Sequence, residues 1–185
     1  PDEGVAGLHP LAFSRAIDAL NERIGFLAEW LVLLSCLISA GNAFSRYAFN
    51  LSSNAWLEIQ WYGFAAAVML GAGYTLKRNE HVRVDLIYGF VSDRTKLWID
   101  LFGGIVFLMP FTLLMAWLTW PWFLESFLQG EMSSNAGGLA RWPVKLLLPL
   151  GFALLALQGV SQLIKTVAGL RGIDLGQTHY ERPLQ

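Results

Sequence analysis

Four carboxylates, Glu29, Glu58, Asp100 and Glu125, lie in or beside long apolar stretches of the sequence. They are the groups with which a chain inside a membrane could bind a cation or relay a proton. A charge at the bilayer centre costs about 2.5–3.5 kcal/mol or more, so an acid placed there would mark function. None of the four is central. Each lies within reach of the headgroups or of a basic residue at the same depth, Arg46 or Lys145 at one end and Arg23 or Lys96 at the other. That placement predicts structural ion pairs or snorkelling, with a subunit contact or an ion role as the alternative. His9, His81 and His179 fall outside the apolar stretches, which excludes a haem held by axial ligands inside a helix bundle. No His, Cys, Asp or Glu cluster has metal spacing, no glycine-rich loop follows a strand, and no Ser or Cys has a base near it in sequence. Neither an enzyme nor a cofactor is expected. The lone Cys36 excludes a disulfide framework and reads as a small buried side chain.

The elements that carry these residues follow from composition and hydropathy. Of 185 residues, 55% are hydrophobic and 15% charged, against about 25% charged in a soluble domain. A net charge of −1 supplies no basic surface for nucleic acid. The first residue is Pro1, so a start further upstream is expected, and no signal peptide is read within these residues. A crossing helix needs about 20 apolar residues. Four segments qualify, at about 24–45, 56–76, 98–122 and 143–164. Pro110 removes one backbone hydrogen bond from the third and predicts a kink near its middle, where a Thr112 hydroxyl or a neighbouring helix could satisfy the freed group.

Ten of the thirteen basic residues fall before the first span, between spans two and three, or after the fourth. The positive-inside rule then places both termini in the cytoplasm. Trp56, Trp120, Trp122 and Trp142 fall at the outer boundary and Trp98 at the inner one. Between spans two and three, Val82, Leu86 and Phe90 recur at helical spacing among charges, which predicts a short amphipathic helix at about 80–92 in the cytoplasmic interface, with an extended entry as the alternative. Lys77, Arg78 and Arg83 would meet lipid phosphates there, with Trp98 and Trp142 as further interfacial anchors. Ser92 reads as the cap of the third helix, with Asp93 in its first turn. Ile17, Leu20 and Ile24 continue the helical period backwards from span one to a candidate cap at Ser14; residues 165–185 are read as a cytoplasmic tail, without periodicity after Leu170. The expected fold is a single all-α membrane domain over 1–185, with four transmembrane helices and an interfacial helix between the second and third.

On span one, Ser35, Ser39, Asn42 and Arg46 form one stripe, opposite Leu27, Trp30, Leu34, Leu37 and Ile38. Small and weakly polar residues mark the packed face of a membrane helix, so the stripe should meet protein and the large residues lipid. Span two offers Gly63, Ala67 and Gly71 at four-residue spacing, which permits close backbone approach or is chance in an Ala-rich segment. In span four Gln158, Ser161, Gln162 and Lys165 make a polar stripe confined to the inner end, which reads as a protein-facing surface rather than a solute path. Glu58 joins these as a candidate for a partner interface.

Several short motifs lie in a fixed order relative to the spans. Arg46-Tyr47-Ala48-Phe49-Asn50 closes the first, Asn79-Glu80-His81-Val82-Arg83-Val84-Asp85 follows the second, and Trp98-Ile99-Asp100 opens the third. Trp142-Pro143, Pro149-Leu150-Gly151-Phe152 and Leu157-Gln158 mark the fourth. With these motifs the sequence resembles, nearly end to end, the DctQ-like small membrane subunit of tripartite ATP-independent periplasmic (TRAP) transporters. Many members carry a Trp followed by paired acids at the start of span two, whereas Trp56-Leu57-Glu58-Ile59-Gln60-Trp61 has one acid. The resemblance implies a bacterial inner-membrane complex of this subunit, a large membrane subunit that holds substrate and sodium sites, and a periplasmic substrate-binding protein. It implies sodium-coupled import of a carboxylate, with the small subunit bracing the large one and binding no solute itself. The competing expectation is a stand-alone membrane adaptor or sensor that recruits lipid or cytoplasmic partners through the amphipathic segment.

Overall fold

The structure, a computed structural model, describes residues 8–78 and 91–173. Helix α1 runs Leu8–Phe49 and α2 Asn54–Lys77. Helix α3, Asp93–Gly103, passes through one π-helical turn at Gly104–Leu108 into α4, Met109–Leu128, and α5 spans Trp142–Leu170. The regular secondary structure of the described residues is helical apart from one isolated bridge between Met132 and Ala140. Among the described residues three helices are long and apolar enough to cross a membrane: α1 over Pro10–Phe49, the continuous α3–α4 rod over Asp93–Leu128, and α5. Helix α2 has 24 residues, which at about 1.5 Å each gives about 36 Å. It is less apolar than those three because Glu58, Gln60, Tyr62, Tyr74 and its glycines lower its hydropathy.

Helices α1, α2 and α5 pack on one another as a three-helix unit, and the α3–α4 rod attaches to it through α5. The rod therefore presents most of its circumference outward, with Phe107, Phe111, Leu114, Trp117 and Leu118 all exposed.

The helix ends follow local rules. Ser92 accepts a bond from the Thr95 amide at 3.3 Å with Asp93 beside it, the cap and charge that the sequence predicts. Gly130 ends α4 in the left-handed region at φ 59°, where its amide bonds Phe127 O at 3.2 Å and the Glu131 amide bonds Ser126 O at 3.0 Å. Glycine adopts that conformation without a Cβ penalty, and it turns the chain back toward the bundle.

Two local expectations are corrected. Ser14 is not a cap: α1 already begins by Leu8, and Ser14 is buried mid-helix against α5. At Pro110 the helix takes up the missing N–H by widening into the π turn that precedes it, so that the Met109 amide bonds Gly104 O. The Thr112 hydroxyl donates to Leu108 O at 2.9 Å and Met109 O at 3.2 Å, not to the carbonyl one turn before the proline. The segment expected as an interfacial helix, with Arg83, lies outside the described residues.

Candidate functional site

Ser14, Asp18 and Asn21 occupy one face of α1, and Gln158, Ser161 and Lys165 one face of α5, at the three- and four-residue spacings that align side chains on a helix. Where α1 and α5 meet, these faces form a polar clasp. Asp18 Oδ1 accepts from Gln158 Nε2 at 2.9 Å and Ser161 Oγ at 2.8 Å, while Oδ2 pairs with Lys165 Nζ. The Ser14 and Ser161 hydroxyls share a bond of 2.7 Å, and Asn21 Nδ2 donates to Gln158 Oε1 at 2.9 Å. Both Asp18 oxygens thus carry donors, the condition under which burying a charge pair is tolerated. Helix α2 joins through Lys77, which bonds Glu22 Oε2 at 2.9 Å and Asp18 O at 3.3 Å. Gly73 leaves room for Asn21 Oδ1, which a Cβ there would strike. Arg78, next to Lys77, lies over the Tyr74 ring at 5.3 Å.

A second clasp closes the opposite end. After Gly130 the chain folds into a small hairpin in which the Ser133 amide bonds Leu139 O at 2.9 Å and the Arg141 amide bonds Glu131 O at 2.8 Å. Glu58, in the second turn of α2 and 1% exposed, reaches into it. Its Oε1 accepts from the Ser133 hydroxyl and from Asn135 Nδ2 at 2.8 Å, and its Oε2 accepts from the Leu139 amide at 2.7 Å. Tyr62 and Asn54 add bonds to Ala140 O and Ala136 O, each 2.9 Å. Glu58 therefore pairs with neither Arg46 nor Lys145. Lys145 instead pairs with Glu131 while lying 4.4 Å from the Trp122 ring centroid. That hydrogen bond holds the Glu131 carboxyl below the usual carboxylate range.

The other residues singled out in the sequence are dispersed. Ser35 is buried where Gly63 makes room for it, and Gly71 meets Ala28, so the small-residue track of α2 takes α1 of the same chain. Ser39 and Ala67 are half-buried and Arg46 is exposed over Tyr47. Asn42 is buried beside the α1–α2 turn. Gln162 parts from its stripe and lines a cavity of about 270 Å³ with Gly104 and Leu108 of the π turn. Trp98 is exposed, and Trp142 stacks edge-on against Phe127 at 5.4 Å. Leu27, Trp30, Leu34 and Leu37 are exposed while Ile38 is half-buried. Cys36, expected to be buried, is exposed, because it falls on the outer side of α1 from Ser35.

Sequence reasoning missed Asp18, which lies before the first apolar stretch, and the 129–141 hairpin; the spacing of Ser14, Asp18 and Asn21 was the available signal for the former. Both clasps spend most of their polar groups on one another, while Asn21 Oδ1, against Gly73, is buried without a hydrogen-bond partner among the described residues. They can fix helices, but neither joins a nucleophile to a base.

A family model described as "Tripartite ATP-independent periplasmic transporters, DctQ component" matches residues 35–169. No curated protein and no solved structure matches the chain. The matched span takes in the Glu58 clasp and the α5 half of the Asp18 clasp.

Proposed function

As the chain belongs to the DctQ component family of tripartite ATP-independent periplasmic transporters, we propose that it braces the large membrane subunit of such a transporter while that subunit moves solute. In this reading all four helical rods cross the bacterial inner membrane, α2 among them because its polar groups are spent inside the chain. Both termini lie in the cytoplasm, on the side richer in Lys and Arg, and the 129–141 hairpin faces the periplasm. The large subunit holds the substrate and sodium sites, and a periplasmic binding protein delivers a carboxylate solute.

One observation carries the bracing role: most polar residues of the bundle close on one another at its two ends, while the α3–α4 rod, held chiefly by α5, offers an apolar perimeter. A unit built this way resists shear between its helices and leaves its perimeter for lipid and partner. Of the residues read as partner-facing, Ser39, Arg46, Ala67 and Gln162 keep exposure for a second subunit. Ser35, Glu58, Gly63, Gly71 and Gln158 would act on it indirectly, by holding the shape of the unit. Lys77, Arg78, Arg83, Trp98 and Trp142 would set its depth in lipid.

Affinity purification in mild detergent tests this. Recovery of a polytopic membrane protein in constant ratio to the tagged chain is expected. A stable lone monomer or homodimer would replace the subunit reading with the stand-alone adaptor.

A further inference from the structure

The π turn and the proline that follows it leave one backbone carbonyl of the α3–α4 rod without a donor. In an α-helix Ile105 O would accept from the Met109 amide, but that amide is bonded to Gly104 O. In the wider π register it would accept from the next residue, which is Pro110 and has no N–H. Val106 O loses its own α-helical donor to the same proline and has only the Phe111 amide to turn to. Side chains do not close the gap. The Thr112 hydroxyl is bonded to Leu108 O and Met109 O, and among the described residues no side chain donates to Ile105 O.

The gap lies on the outside of the rod. Ile105 is 54% exposed and Phe107 66%, and Val106 and Pro110 are exposed with them. At about 1.5 Å per residue, Ile105 lies about 10 Å beyond Trp98, the expected inner anchor, within a rod long and apolar enough to cross a membrane. An acyl chain has no donor and the bilayer core holds no water, so a carbonyl at that depth has to be met by protein. Pro121, further along the rod, stands instead between Trp120 and Trp122 at the expected outer boundary, where headgroups and water can donate.

We infer that the π turn is a docking point at which a transmembrane helix of the large membrane subunit donates a hydrogen bond to Ile105 O from an uncharged side chain, a hydroxyl or an amide. The inference rests on the proposed subunit role and places that contact on the α3–α4 rod. An uncharged donor fits because the exposed neighbours, Phe102, Val106, Phe107 and Phe111, are all apolar. The nearest acid in sequence, Asp100, lines the cavity shared with α5 and offers no counter-charge on the outer side. Lipid alone leaves the carbonyl unmet, which separates this stretch of the perimeter from the merely apolar remainder.

Ile105-Val106 is the single Ile-Val pair in the sequence. Isotope labels on isoleucine carbonyls and valine amides therefore isolate this one carbonyl in solid-state NMR. The full chain is compared in bilayers alone and in complex with the polytopic protein that copurifies with it. The Ile105 carbonyl resonance should move downfield on assembly. Pro110→Ala returns an N–H to the helix, so it should place the resonance downfield in the lone chain already and weaken retention of the partner about tenfold. If Pro110→Ala fails to fold, the two wild-type spectra decide. An unmoved resonance in an assembled wild-type complex would overturn the contact and leave the subunit reading standing, as would wild-type retention by a folded Pro110→Ala. A carbonyl already bonded in the lone wild-type chain would also overturn it, giving the donor to water or to a second copy. If no polytopic protein copurifies, the subunit reading falls and this contact with it.

Discussion

The Asp18 carboxylate and the Lys165 ammonium pair across α1 and α5, with both side chains nearly enclosed at 11% and 13% exposure. Removing one partner orphans a buried charge, which costs about 3–5 kcal/mol. Lys165 sits near its helix end and can extend toward headgroups, so the low end applies. Asp18→Asn should lower stability by about 3 kcal/mol. The double change Asp18→Asn with Lys165→Leu should recover more than half of that loss, because an amide oxygen at position 18 still accepts from Gln158 and Ser161 and no charge is left unpaired. Thermal unfolding of the three proteins in one detergent checks this; a double variant as unstable as the single would show that the pair is not what the site contributes.

How much of this was legible varies with sequence distance. The Ser92 cap was readable because donor and acceptor are three residues apart. The Gln158, Ser161 and Lys165 stripe was readable from helical period, but its partner Asp18 was not, since no local pattern says which distant helix a polar face will meet. The same Ser14 that looks like a cap from its neighbours is a core residue once Ser161 is opposite it. For Glu58 the partners expected from its neighbours in depth, Arg46 and Lys145, were wrong: its donors come from a hairpin whose shape depends on the left-handed turn at Gly130. At Pro110 the lost hydrogen bond was foreseeable, but not that the chain would widen into a π turn before it.

The Glu58 carboxylate accepts from three hairpin donors at once. Glu58→Ala should speed amide hydrogen exchange at Ser133, Leu139 and Arg141 by tenfold or more, about 1.4 kcal/mol of local opening, while α5 exchanges as before. Unchanged hairpin exchange would mean that the backbone bonds within 131–141 suffice.

Acid should loosen the same hairpin through Glu131. Its folded-state pKa is depressed by the Lys145 hydrogen bond. It therefore contributes stability above the unfolded value of about 4.3 and loses it as pH falls through the lower folded value. Protection of the Arg141 amide should decline below about pH 4.3 in the wild type, and Glu131→Gln should remove that decline. Identical acid profiles in the two proteins would assign the loosening to another group.

Gly63 faces Ser35 in the close contact between α1 and α2, whereas Leu34 is exposed on the far arc. Gly63→Leu should separate the helices and abolish assembly or expression, overpacking costing about 1–3 kcal/mol or more where a backbone must move. Leu34→Phe should be mild. Fluorescence-detected size exclusion compares them, and equal tolerance at the two positions would contradict the packing assignment.

The central claim is that the polar groups of this chain hold shape and do not touch solute. The decisive measurement is uptake by proteoliposomes, normalised to assembled complex, as substrate and sodium are each varied, for Glu29→Gln, Glu58→Gln, Asp100→Asn and Glu125→Gln. The account predicts altered assembly or stability with both apparent affinities nearly unchanged. A tenfold shift in either from one such change, about 1.4 kcal/mol, would place that carboxylate in or beside the transport site and contradict it.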